Sequence, residues 1–84
     1  MSYRDTSLMQ RLLVTLHNMG AVSAKAGKTI EELAGMTSIA LDDLAAIIPE
    51  HIRAGYINYH VDNSGSRRYF LTGRGIIRVA SLYT

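Results

Sequence analysis

The 84-residue chain has no cysteine, no tryptophan and a single proline. Without thiols it can build neither a disulfide framework nor a thiolate metal site. No apolar run approaches the roughly 18 residues that a membrane-spanning helix needs. The opening MSYRDTSLMQ lacks the basic-then-apolar order of a secretory signal. These absences lead us to expect a cytoplasmic protein with no membrane partner. One absence is local. Residues 29–52 contain no lysine or arginine and carry −5 through Glu31, Glu32, Asp42, Asp43 and Glu50, while residues 1–28 carry +3 and residues 53–84 carry +4. The net charge of +2 therefore conceals a basic, acidic, basic order, and that order governs where a polyanion could approach.

What is present suits one α+β domain over residues 1–84. A content of 48% hydrophobic and 19% charged residues is that of an ordinary globular chain, and this length buries roughly 60–65% of its unfolded surface. A first helix is expected over 7–19, with Leu8, Leu12, Leu16 and Met19 at helical spacing. Ser7 and Gln10 would form its capping box and Gly20 its left-handed stop. Residues 20–28 read as a loop of small residues with room for a short extended stretch. Thr29-Ile30-Glu31-Glu32 is a second capping box, opening a helix over 29–35.

Leu44, Ile47, Ile48 and Ile52 define a third helix over 40–54, closed by Gly55. Asp42 and Asp43 fall in its first turn, where negative charge suits the helix dipole. Pro49 lies inside it, costs roughly 3 kcal/mol there, and predicts a kink or break near Ile48. Two alternating strands follow, Ile57-Tyr59-Val61 and Arg67-Tyr69-Leu71, joined by Asp62-Asn63-Ser64-Gly65-Ser66. This hairpin, over 56–71, is marginal alone in water and must lie on the helices. A last helix is expected over 73–82.

That order, carried by TIEELAGMTSIALDDLAAIIPEHIRAGYI and then RRYFLTGRG, resembles the winged helix-turn-helix superfamily, nearest to small MarR-like and PadR-like prokaryotic transcriptional regulators. The resemblance implies three helices, a two-stranded wing and a short C-terminal helix. It also implies double-stranded DNA as partner, with the third helix in the major groove and the wing on adjacent backbone or minor groove. Carried over by position, helix-turn-helix contacts would come from near Thr37, Ser38, Asp42, Asp43 and Ala46. Wing contacts would come from Asn63, Ser64, Ser66, Arg67 and Arg68, with Lys25, Lys28 and Arg53 assisting. A homodimer through the first and last helices is the oligomer such a chain could form.

The third helix departs from that pattern, because it offers Asp42, Asp43, Ala45, Ala46 and Glu50 where basic and polar residues are usual. A carboxylate about 6 Å from a phosphate is repelled by roughly 0.7 kcal/mol even in water. Three arrangements remain open: binding led by the wing, a protein partner on the acidic and alanine face of helix three, or an acidic turn that merely faces solvent. Tyr69, Leu71, Ile57 and Tyr59 are expected in the core rather than as a stacking platform. His17, His51 and His60 have no ligand spacing, so no metal is expected, and His51 reads as an interior histidine. Gly73-Arg74-Gly75 is not a phosphate loop, and no nucleophile constellation is visible. Neither a cofactor nor an enzymatic activity is expected.

Overall fold

The computed structural model describes the backbone of residues 3–83 and the side chains of residues 8–83. Helix α1 spans Tyr3–Asn18. Because it begins four residues ahead of Ser7, that serine lies inside the helix and is not its cap. The side chain of Ser7, and so the expected pairing with Gln10, lies outside the described residues. Leu12, Leu13 and Leu16 are buried. The helix stops where glycine permits it. Gly20 has φ +69°, its N–H donates to the His17 carbonyl at 3.0 Å, and Ala21 N–H reaches back to Leu16 at 2.9 Å. Those two bonds form a Schellman stop.

A single 3-10 turn, Ala24–Ala26, leads to helix α2, Ile30–Thr37. The capping box is present: Thr29 N–H donates to Glu32 Oε1 at 3.0 Å, and Glu32 N–H donates to Thr29 Oγ1 at 3.2 Å. The helix runs two residues past the expected end. Thr37 extends it by donating its hydroxyl to the Leu33 carbonyl at 2.7 Å while accepting from Ile39 N–H at 3.1 Å. Ser38, at φ 59°, turns the chain, and Ile39 plugs into the core.

Helix α3, Leu41–Arg53, continues through Pro49, so of the kink or break expected near Ile48 the break does not occur. Both Pro49 and Ala45, whose carbonyl would have received the missing amide proton, are exposed. Water can therefore take the place of the lost bond. Leu44, Ile47, Ile48 and His51 form the buried side. Gly55, at φ +82°, ends the helix with a second Schellman pair, Tyr56 N–H to His51 O and Gly55 N–H to Ile52 O, both 3.0 Å.

Strands β1, Ile57–Val61, and β2, Arg67–Leu71, pair antiparallel with Ile57 opposite Leu71, Tyr59 opposite Tyr69 and Val61 opposite Arg67. The expected short extended stretch before α2 proves to be a third partner. Lys28 and Tyr69 exchange both backbone bonds (2.9 and 2.8 Å), and Leu71 N–H donates to the Ala21 carbonyl at 2.7 Å. This covers the outer edge of β2, which would otherwise offer unpaired groups. Helix α4, Gly73–Ser81, is capped by Thr72, which accepts from Gly75 N–H at 3.0 Å and donates to the Gly55 carbonyl. A Cβ at Gly75 would run into the Tyr56 carbonyl, so glycine is what lets α4 close against the base of the hairpin.

The core gathers Leu12, Leu16, Leu33, Leu44, Ile57, Leu71 and Val79 from all four helices and both strands. Tyr69 is buried with them and Tyr59 is half-buried, its ring 5.9 Å from that of Tyr69. His51 is 2% exposed. Its Nε2 lies 3.1 Å from the Met9 carbonyl, which can only accept, so Nε2 carries the proton. Nδ1 is buried without a partner, and burial pushes the ring's pKa below its ordinary value.

Candidate nucleic-acid interface

The hairpin tip is built around one carboxylate. Asp62 Oδ1 accepts from the Ser64 hydroxyl at 2.6 Å, Ser64 N–H at 2.9 Å and Ser66 N–H at 3.0 Å. The loop closes with Asp62 N–H on Ser66 O at 2.9 Å and Gly65 N–H on Asp62 O at 3.0 Å, with Gly65 at φ +88°. Asp62 Oδ2 accepts from Arg68 Nε at 2.8 Å. The Ser64 hydroxyl, the Arg68 guanidinium and the Ser66 amide together hold the Asp62 carboxyl well below the usual carboxylate range. The tip therefore enters any encounter with its shape already fixed.

The two neighbouring arginines have different fates. Arg67 is exposed and opposite Val61, with its guanidinium carbon 4.8 Å from the centre of the Tyr59 ring. No carboxylate pairs with it among the described residues. Arg68 is turned the other way. Besides Asp62 it reaches Glu32 Oε1 at 3.4 Å and the Gly27 carbonyl at 3.3 Å. Its positive charge is offset by two carboxylates, which leaves Arg67 as the unpaired cation of the tip.

Comparison with known proteins supplies the frame. No protein-family model matches the sequence, and no curated protein does. Among solved structures, the chain is similar to a candidate DNA-binding protein from Ralstonia eutropha (TM-score 0.77, 18% identity, covering 93% of this chain and 96% of that one). It is also similar to a DNA-binding fragment of TubR from Clostridium botulinum (TM-score 0.76, 15% identity, 88% and 91%). A third match is MepR of Staphylococcus aureus, solved in complex with DNA (TM-score 0.70, 20% identity, 87% and 60%). The chain has the winged helix-turn-helix fold. It spans nearly all of the first two structures but under two thirds of MepR.

Within the winged helix, α2, the turn over residues 38–40 and α3 form the helix-turn-helix, and β1–β2 form the wing. Ser38 is exposed at the turn. Thr37 is not: it is buried, with its hydroxyl engaged as both donor and acceptor, and it serves the turn rather than the surface. Asn63, Ser64 and Ser66 all sit at the exposed wing tip, although the Ser64 hydroxyl already serves Asp62 and Ser66. Lys28 is half-buried beside β2, and Lys25 is exposed on the preceding turn. Arg53 is exposed at the end of α3 and paired with Glu50.

The outward side of α3 presents Asp42, Ala45, Ala46, Pro49 and Glu50, with Leu41 48% exposed at its start. The only cation on that helix is thus neutralised within it. Two participants were not foreseen. Glu32 was identified as a cap, and its Oε1 also reaches the wing. Tyr59 was expected in the core, and its ring also carries Arg67. The alternation of β1 with β2, which puts residues 59 and 67 on one face, was the available signal for the second.

Proposed function

We propose that this winged helix binds double-stranded DNA as a small transcriptional regulator, with the wing leading the contact on backbone or minor groove. The observation that carries the reading is Arg67: an exposed, unpaired guanidinium held over Tyr59 at the tip of a loop already organised by Asp62. A pre-set loop loses little conformational freedom on binding, so more of the phosphate attraction is realised as affinity. Lys25, Lys28, Asn63 and Ser66 would add further contacts, and Ser38 and α3 would supply orientation. Fold likeness to MepR, which was solved with DNA, and to a DNA-binding fragment of TubR supports the reading.

The test is a fluorescence-anisotropy titration against random-sequence duplex at about 50 mM salt. Three to four phosphate contacts would give a log–log salt slope of about −3. Absence of binding at tens of micromolar by folded protein would remove the proposal.

A second reading rests on the exposed face of α3, where Leu41, Ala45 and Ala46 are bordered by Asp42 and Glu50. Such a face suits a basic, apolar protein partner better than a phosphate backbone, and this reading gains if DNA binding is absent. Either reading is compatible with a homodimer through α1 and α4. In support, Ile77 and Tyr83 are each 71% exposed. Sedimentation velocity of wild type and Ile77→Asp decides it.

A further inference from the structure

Arg68 sits where three separate segments meet: the wing, the first turn of α2, and the loop before α2. Its Nε is bound to Asp62 at 2.8 Å, and its Nη1 faces Glu32 at 3.4 Å and the Gly27 carbonyl at 3.3 Å. The loop approaches this closely because residue 27 is glycine, where a Cβ would fall 2.9 Å from the Cβ of Arg68. Glu32 is in turn fixed by the capping box, so its carboxylate is a rigid extension of α2. One guanidinium thus connects the start of the helix-turn-helix to the base of the wing-tip loop, and the planar fork can address several acceptors at once.

We propose that Arg68 is a positioning residue that fixes the attitude of the wing relative to the helix-turn-helix, and that it does not itself grip nucleic acid. This rests on the DNA-binding reading for its effect on affinity, but not for its effect on geometry. The two regions that would meet adjacent grooves are carried by separate elements, joined at one point by the Lys28–Tyr69 backbone pair and at a second by the Arg68–Glu32 side-chain contact. A phosphate contact from Arg68 would have to compete with the two carboxylates that its Nε and Nη1 already address. Arg67 faces no such competition.

The decisive variants are Arg67→Ala, Arg68→Ala, Arg68→Lys and Glu32→Gln, each in the full chain. Glutamine keeps the capping box, since its side-chain oxygen accepts from the Thr29 amide as glutamate does. Glu32→Gln also removes a negative charge, so charge alone would tighten DNA binding. Positioning instead predicts that it weakens binding about two- to threefold, and that Arg68→Ala weakens it about five- to tenfold with the salt slope unchanged. Arg68→Lys recovers part of the loss. Arg67→Ala, by contrast, lowers the slope by about one.

Backbone residual dipolar couplings, measured without DNA, read the wing's orientation directly. They should change for residues 57–71 relative to α2 and α3 in Arg68→Ala, and less in Glu32→Gln. Tighter binding by Glu32→Gln, a slope lowered by one in Arg68→Ala, or an unchanged wing orientation in Arg68→Ala each overturns the proposal. If wild type binds no DNA, the DNA-binding reading fails, and the couplings still decide whether Arg68 sets the wing.

Discussion

The wing and helix α3 both carry exposed residues, both rely on a positive-φ glycine (Gly65 at the wing tip, Gly55 after α3), and both are regions that a winged helix can present to a partner. They differ in how their charges are settled. On the wing, Asp62 is consumed by the loop and by Arg68, and Arg67 is left over. On α3, Arg53 is consumed by Glu50, and Asp42 and Asp43 are left over. Each region neutralises one sign internally and displays the other. Composition sets the net charge of each region, and internal pairing decides which residue displays it.

The comparison can be broken most severely at its shared foundation. Gly75→Leu should cost about 3 kcal/mol or more, because the new side chain meets the Tyr56 carbonyl and the Leu71 side chain at the base of the wing. Urea denaturation measures it, and a loss under 1 kcal/mol would show that α4 is free to move away. Next in size, Pro49→Ala should stabilise α3 by about 1–2 kcal/mol. The helix gains up to roughly 3 kcal/mol in propensity and loses the benefit of a stiffer unfolded chain. DNA affinity should stay unchanged if the wing leads.

Removing the displayed charges sharpens the contrast. Asp42→Asn with Asp43→Asn should tighten duplex binding by about threefold, in keeping with roughly 0.7 kcal/mol of relieved repulsion. A loss instead would mean that α3 reads bases through those carboxylates, as aspartate can with cytosine.

The last effect is in acid. The folded pKa of His51 lies below that of the unfolded chain, so the unfolded state takes up the proton first. Stability should therefore fall as pH drops below about 6.5, and level off once the folded pKa is passed, by about 1.4 kcal/mol for each unit between the two values. Hydrogen exchange should show α3 loosening before the wing, since His51 pins α3 to the Met9 carbonyl of α1. His51→Leu should flatten the dependence, and an equal slope in that variant would assign it elsewhere.

Much of the scaffold was legible because its signals are local. Gly20 and Gly55 end their helices as their conformational freedom suggests, and Thr29 with Glu32 caps α2 as spacing alone implies. Strand alternation placed Ile57, Tyr59, Tyr69 and Leu71 together on the inward row, and their pairing across the hairpin agrees with it. What could not be read depends on contacts distant in sequence. Lys28 pairs with Tyr69 across 41 positions, as does Gly27 with Arg68, and nothing in a run of small residues announces a bridge. Pro49 does not break the helix because its penalty depends on which way the freed carbonyl faces. That is settled by packing of Leu44 and Ile48 on the opposite side of the helix.

The five-residue connection between the strands carries a further consequence. Successive strand residues project to opposite sides, so a slip of one position would send Arg68 to the tyrosines and Arg67 toward the acids. By tethering both ends of the bend, Asp62 selects which guanidinium is shown to the outside. Such a slip would also carry Tyr69 and Leu71 out of the core, so the buried row and the tethered bend together keep Arg67 on the outside.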